Sequence, residues 1–137
     1  MKTYALRLRP QQDLKQALEG FQRDHALQAG FVLTCVGSLR RAAIRFANQP
    51  DTTVLDGKFE IVSLVGTLSP EGAHLHISIA DGAGQMLGGP LQEGALVYTT
   101  AEMVLGDLDD LTFSRPVDPE TGYDELTVRP RGSGREV

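Results

Sequence analysis

The sequence predicts an α+β domain in which a mostly antiparallel central sheet of about seven to eight strands is served by one main helix. Three observations lead there. Apolar residues recur with a period of two in short runs bounded by Gly, Pro, Asn or Asp. Only the segment after Asp13 carries a helical stripe. The 137 residues suit one domain with one core, and no apolar run approaches the ~20 residues that span a bilayer.

Thr3–Arg9 alternates, with Tyr4, Leu6 and Leu8 on one face, and Pro10 ends this first strand. Asp13 then opens a helix whose Leu14, Leu18 and Phe21 fall at i, i+4 and i+7; it is expected to reach His25–Ala29 and to stop at Gly30. Phe31–Leu39 is a nearly continuous apolar run, typical of a strand buried on both faces. Gly37-Ser38 within it suggests a bulge or a close backbone approach. Ala42–Ala47 reads as a short separate strand and Asn48–Gly57 as loop, with Val54-Leu55 able to pair briefly. Lys58–Leu68 is the clearest strand. The turn Ser69-Pro70-Glu71-Gly72 joins it to an antiparallel partner, Ala73–Asp81. In that partner Leu75, Ile77 and Ile79 share one face, while His74, His76, Ser78 and Ala80 share the other. Ala83–Gly89 reads as glycine-rich turns, Ala95–Gly106 as a long strand, and Leu111–Arg115 and Glu125–Arg129 as short ones. The domain is expected to occupy residues 1–129, leaving 130–137 (PRGSGREV) as a disordered tail without an apolar core.

Composition bounds the function classes. The chain is 41% hydrophobic and 23% charged, an ordinary globular balance. Its start, MKTYALRLRP, lacks a hydrophobic signal core, so the cytoplasm is the expected compartment. The net charge of −5 opposes wrapping nucleic acid. It is unevenly placed: residues 1–60 hold 9 Lys/Arg against 6 Asp/Glu, and residues 61–137 hold 4 against 12. The one cysteine, Cys35, has no disulfide partner, and its apolar run marks it as a small buried hydrophobe.

No catalytic constellation stands out, and the chain reads as a binding protein more than an enzyme. Ser78, His76 and Asp81 could be assembled into a triad, but no nucleophile elbow frames the serine. GAGQMLGG lacks the Lys-Ser/Thr of a phosphate loop. Asp124 and Glu125 are adjacent and would face opposite ways on a strand, so that segment reads as a structural turn.

Taken together, RLRPQQDL, AGFVLTCVGSLRRAAIRF, GKFEIVSLVGTL, HLHISIADGAGQMLGG, TTAEMVLG, LTFSRPVD and TGYDELTV resemble, in order and spacing, the plants-and-prokaryotes-conserved (PPC) domain. The resemblance covers roughly Tyr4 to Val128 and implies a compact fold around an antiparallel sheet, assembled as a homotrimer; the lack of a long apolar run gives the expectation of no membrane partner. In plants this domain follows an AT-hook in nuclear DNA-binding proteins, which makes DNA a candidate partner. The hook core, Arg-Gly-Arg-Pro, is not found here, since Arg129-Pro130-Arg131-Gly132 has a different order.

The resemblance also implies a third histidine after the His-x-His strand, and three imidazoles could close on a zinc-like divalent metal. Here that position is Pro90. His74 and His76 are therefore the candidate metal ligands, and water, a carboxylate or a neighbouring subunit would have to complete the set. Glu60 and Glu102 are the candidate carboxylates, and Arg40 and Arg45 are candidates to reach a ligand in the same cleft. The bland alternative is a pair of solvated polar residues on a strand.

Overall fold

A computed structural model describes residues 1–137. Its elements are β1 (Lys2–Leu8), α1 (Leu14–Asp24), β2 (Gly30–Ile44), β3 (Thr53–Ser69), β4 (Gly72–Ala80), β5 (Met86–Pro90), β6 (Leu96–Asp107), β7 (Leu111–Ser114) and β8 (Thr127–Pro130). The expected α+β architecture is present. One six-stranded antiparallel sheet runs β1-β6-β2-β3-β4-β5, and β7 pairs with β8 in a second sheet. No helix is long and apolar enough to cross a membrane.

Asp13 starts the helix and does more than cap it. One carboxylate oxygen accepts from the Gln16 N–H at 3.0 Å, and the other accepts from the Gly94 N–H at 2.6 Å. Such a cap stabilises by about 1 kcal/mol, and here it also ties the loop before β6 to the helix start. Leu14 and Leu18 are fully buried against the sheet. The helix stops at Asp24, short of the expected His25–Ala29. Ala26 takes a left-handed φ of 52°, which turns Leu27 back into the core, where its N–H bonds the Gln22 carbonyl at 3.0 Å. His25 stacks on Phe21 with ring centroids 3.9 Å apart and meets Tyr4 edge-on at 5.3 Å, fastening the helix end to β1.

Three other segments differ from expectation. Phe31–Leu39 and Ala42–Ala47 are not separate strands: β2 runs unbroken to Ile44, absorbing the irregularity as a register shift between Leu39 and Arg41. Gly37 is a point of close approach, because a side chain there would strike the Thr100 carbonyl. β3 begins at Thr53, inside the expected loop, since Val54 and Leu55 pair with Ala43 and Ala42, and Arg41 holds Asp56 at 2.8 Å. The glycine-rich stretch becomes β5, whose bare Gly88 fits against the Ile77 carbonyl. β5 is also tied back to the end of β2. Leu91 bridges Ile44, the Arg45 N–H donates to the Pro90 carbonyl at 3.0 Å, and the Gln92 N–H donates to the Ala43 carbonyl at 2.9 Å. At the other end of the chain Pro130 closes β8, and Arg131 donates to the Leu108 and Leu111 carbonyls at 3.0 and 3.1 Å. The boundary drawn after residue 129 therefore falls inside the second sheet.

β4 sorts its side chains as its alternation dictates. Leu75, Ile77 and Ile79 are buried in the core with Leu64, Leu68 and Val97, and His74 and His76 stand on the opposite, exposed face. Directly across on β3, Thr67 pairs with His74 and Val65 with His76. Gly66, between them, sits at a φ of 141°, and a methyl there would collide with the His74 carbonyl. Gly66→Ala should therefore force β3 and β4 apart and lower stability by about 2 kcal/mol or more. A urea unfolding midpoint equal to that of the unsubstituted protein would contradict this.

Candidate functional site

A cleft of about 270 Å³ opens over the histidine face of β4. Its floor is Val65, Gly66 and Thr67 of β3 beside His74 and His76, and its wall is Arg115, Glu125 and Leu126 from the connection between β7 and β8. Strand alternation alone brings the two imidazoles together, with ring centroids 5.1 Å apart and nearly perpendicular planes. The wall is built by docking. The Arg115 N–H donates to the Glu71 carboxylate in the β3–β4 turn, and the Phe113 N–H donates to the Gln28 carbonyl at 2.8 Å.

Arg115 Nη2 lies 3.3 Å from His74 Nδ1 and donates to the Asp124 carbonyl at 2.6 Å. A guanidinium carries donors only, so Nδ1 is the acceptor in this pair and the proton of the neutral ring belongs on Nε2. The titration of His74 agrees. Burial, then the Arg115 charge, then His76 push its pKa below the ordinary 6.5, with Glu125 pulling the other way.

The other sequence candidates separate. Arg45 borders the adjoining cleft of about 380 Å³ together with His74, Arg115, Tyr123, Asp124 and Glu125. Arg40 does not join them. It lines a different depression with Arg41, Asp56, Lys58 and Tyr98, and its Nε is buried without a hydrogen-bond partner. Glu60 pairs with Ala80, six residues beyond His74 on β4 and so about 20 Å from it. Glu102 lies on β6, which is three strands from β4 and so roughly 14 Å away; it pairs with Val36. Cys35 is half-buried and its thiol is pushed up to about 11 by burial, leaving essentially no thiolate at neutral pH.

Two wall residues, Arg115 and Glu125, lie outside the site residues to which the sequence points. Glu125 sits in a segment that reads as a turn, and Arg115 ends a strand with no partner nearby in sequence. Arg115 meets His74 across 41 positions, a contact that only the docking of β7–β8 creates.

A zinc-like ion would need at least three donors here. No three His, Cys, Asp or Glu side chains gather to hold one. Pro90 stands opposite His76, and the Nδ1 lone pair of His74 faces a cation. Within a single chain the donor set for a metal is therefore incomplete.

The family model of the Plants and Prokaryotes Conserved (PCC) domain matches residues 1–109. A bifunctional protein GlmU of Synechococcus sp. is 52% identical over 130 residues, covering 95% of this chain. The chain spans only 21% of the length of the curated relatives it matches. Among solved structures, a hypothetical protein from Salmonella enterica superposes with a TM-score of 0.93 at 45% identity, covering 95% of this chain and 94% of that one. A metal-containing protein from Archaeoglobus fulgidus superposes with a TM-score of 0.75 at 26% identity, over 91% and 92% of the two chains.

The lowered pKa of His74 has a consequence for stability. As pH falls, the unfolded chain takes up this proton first. The stability contributed by the neutral ring is complete above 6.5, is lost from there down to the depressed folded pKa, and is level below it. Urea midpoints taken across this window should fall for the unsubstituted protein and fall less for His74→Gln; equal slopes would refute the assignment.

Proposed function

Since the chain belongs to the Plants and Prokaryotes Conserved domain family, we propose that it is a homotrimeric interaction module, working in the cytoplasm, whose open sheet face is the contact between subunits. One observation carries this reading. The face opposite the helix leaves Val36, Val62 and Val65 exposed at 61%, 50% and 55%, with Leu33 beside them at 47%. A cluster of large aliphatic side chains on one sheet face marks an association surface. Val36 also lines a largely apolar groove with Ala5, Leu6 and Val104, and Glu102 stands at that groove rather than near the histidines.

The comparisons support a portable module. Closely similar chains occur with almost this length in Salmonella and as about a fifth of a bifunctional protein in Synechococcus. A unit found in both settings contributes assembly or binding more readily than it contributes one fixed reaction. DNA is a weak partner for this surface, because the chain is acidic.

A second reading has its own observation. The cleft at His74, His76 and Arg115 combines convergent polar groups with an apolar floor at Val65, which itself belongs to the association face. A small-ligand site bordering the subunit contact accounts for both.

Sedimentation equilibrium should give three times the 14.8 kDa chain mass, and Val36→Glu should shift the population toward single chains. A monomer at all concentrations would end the trimer reading. A fluorescent duplex should show no anisotropy change at low salt; a steep, salt-sensitive rise would instead establish direct DNA binding.

A further inference from the structure

The cleft at His74 has the appearance of a metal site from its histidines alone, but its electrostatics belong to another class of ligand. We infer that it receives a small organic or inorganic anion of the carboxylate or phosphate class, gripped by Arg115 and by the Nε2–H of His74. The inference rests on the small-ligand reading of this cleft and names its ligand class.

Three features of the chain lead to it. First, the cationic position beside His74 is already filled by a guanidinium 3.3 Å from Nδ1, and a divalent ion would meet its repulsion. Second, both hydrogen bonds made by the Arg115 side chain run through Nη2, so its other N–H donors remain for a ligand, in the planar geometry that suits a carboxylate or phosphate. Third, Arg45 borders the adjoining cleft from the end of β2, and that cleft shares His74, Arg115 and Glu125 with this one. Only the Nη1 of Arg45 is engaged, weakly, by the Gln49 carbonyl at 3.4 Å.

Carboxylates line the cleft too. Glu125 accepts from the Thr121 hydroxyl at 3.2 Å, and Asp124 offers Arg115 its backbone carbonyl. Over the two adjoining clefts these two carboxylates balance Arg45 and Arg115, leaving no net charge. A ligand with one anionic group next to a hydroxyl or amine meets that balance better than a multiply charged one: the anion faces Arg115 and His74, and the donor faces Glu125. The floor contributes only Val65, Gly66 and Thr67, which add no charge, and the volume of about 270 Å³ fits a small molecule.

The test is a calorimetric titration of the full chain with glycolate, with inorganic phosphate and with zinc chloride. Glycolate or phosphate should bind at one site per chain, and Arg115→Gln should weaken that binding by about tenfold or more, the loss of one charge-assisted contact. Arg45→Gln, on an exposed side chain that carries no fold contact beyond Gln49, should weaken it by less and serves if Arg115→Gln disturbs the docking of β7–β8. Anion binding untouched by both substitutions would place the ligand elsewhere and overturn the inference. Zinc bound near one per chain and lost in His74→Ala, with no anion binding, would overturn it while keeping the cleft as a ligand site. If none of the three probes binds, the small-ligand reading falls together with the inference.

Discussion

A six-stranded sheet has two faces, and this chain has one helix of 11 residues to cover them. That shortage of covering structure governs the rest. The helix and the inward turns of β2, β5 and β6 gather one continuous core, in which Leu14, Leu18, Leu39, Ile44, Leu75, Ile79, Leu91 and Leu105 are essentially inaccessible. Nothing remains for the opposite face except the short β7–β8 sheet, which shelters only the strip over β3 and β4. The chain thus divides into a dry side, where stability comes from aliphatic burial, and a wet side, where functional side chains can stand on rigid strands.

The histidine strip owes its chemistry to that partial shelter. On an open strand face His74 and His76 would be ordinary solvated imidazoles. The β7–β8 connection brings a guanidinium onto one of them, removes some of its water and fixes which ring nitrogen holds the proton. Pro90 adds the complementary constraint from the other side, since it faces His76 in the ladder and supplies neither a ligand nor a donor. Two small departures from a metal-binding pattern thereby act in one direction.

How much of this could be read from the sequence depends on how local its cause is. The stripe Leu14, Leu18, Phe21 and the alternation of residues 74–79 report which side faces the core, because burial follows the backbone period directly. The Asp13 cap is equally legible. The helix end is not, because Ala26 gives no compositional sign of its left-handed turn. β5 escapes notice because glycines carry no side-chain period, although they are the residues that let it lie against β4. Arg45 could be linked to the histidines by its distance from Gly37-Ser38, whereas Arg40, its near neighbour, points to another depression. Glu60 and Glu102 have the right charge in the wrong strands. Arg115 and Glu125 depend on the docking of a distant sheet, and no local pattern encodes that.

The tie between β5 and the end of β2 has a further consequence. In most open sheets both outer strands offer unpaired backbone to another chain, and pairing at both can propagate into a fibre. Here the end of the β5 side, from Pro90 onward, is bonded back to Ala43–Arg45, so β1 is the longer free edge of the six-stranded sheet. Two copies joined through β1 would each have used the longer free edge of this sheet, leaving little backbone from which pairing could propagate. Assembly through faces, in contrast, lets geometry close a ring instead of extending a ribbon. In a protein with an exposed aliphatic face, two backbone hydrogen bonds thus shorten the second edge along which such a sheet could extend into a fibre.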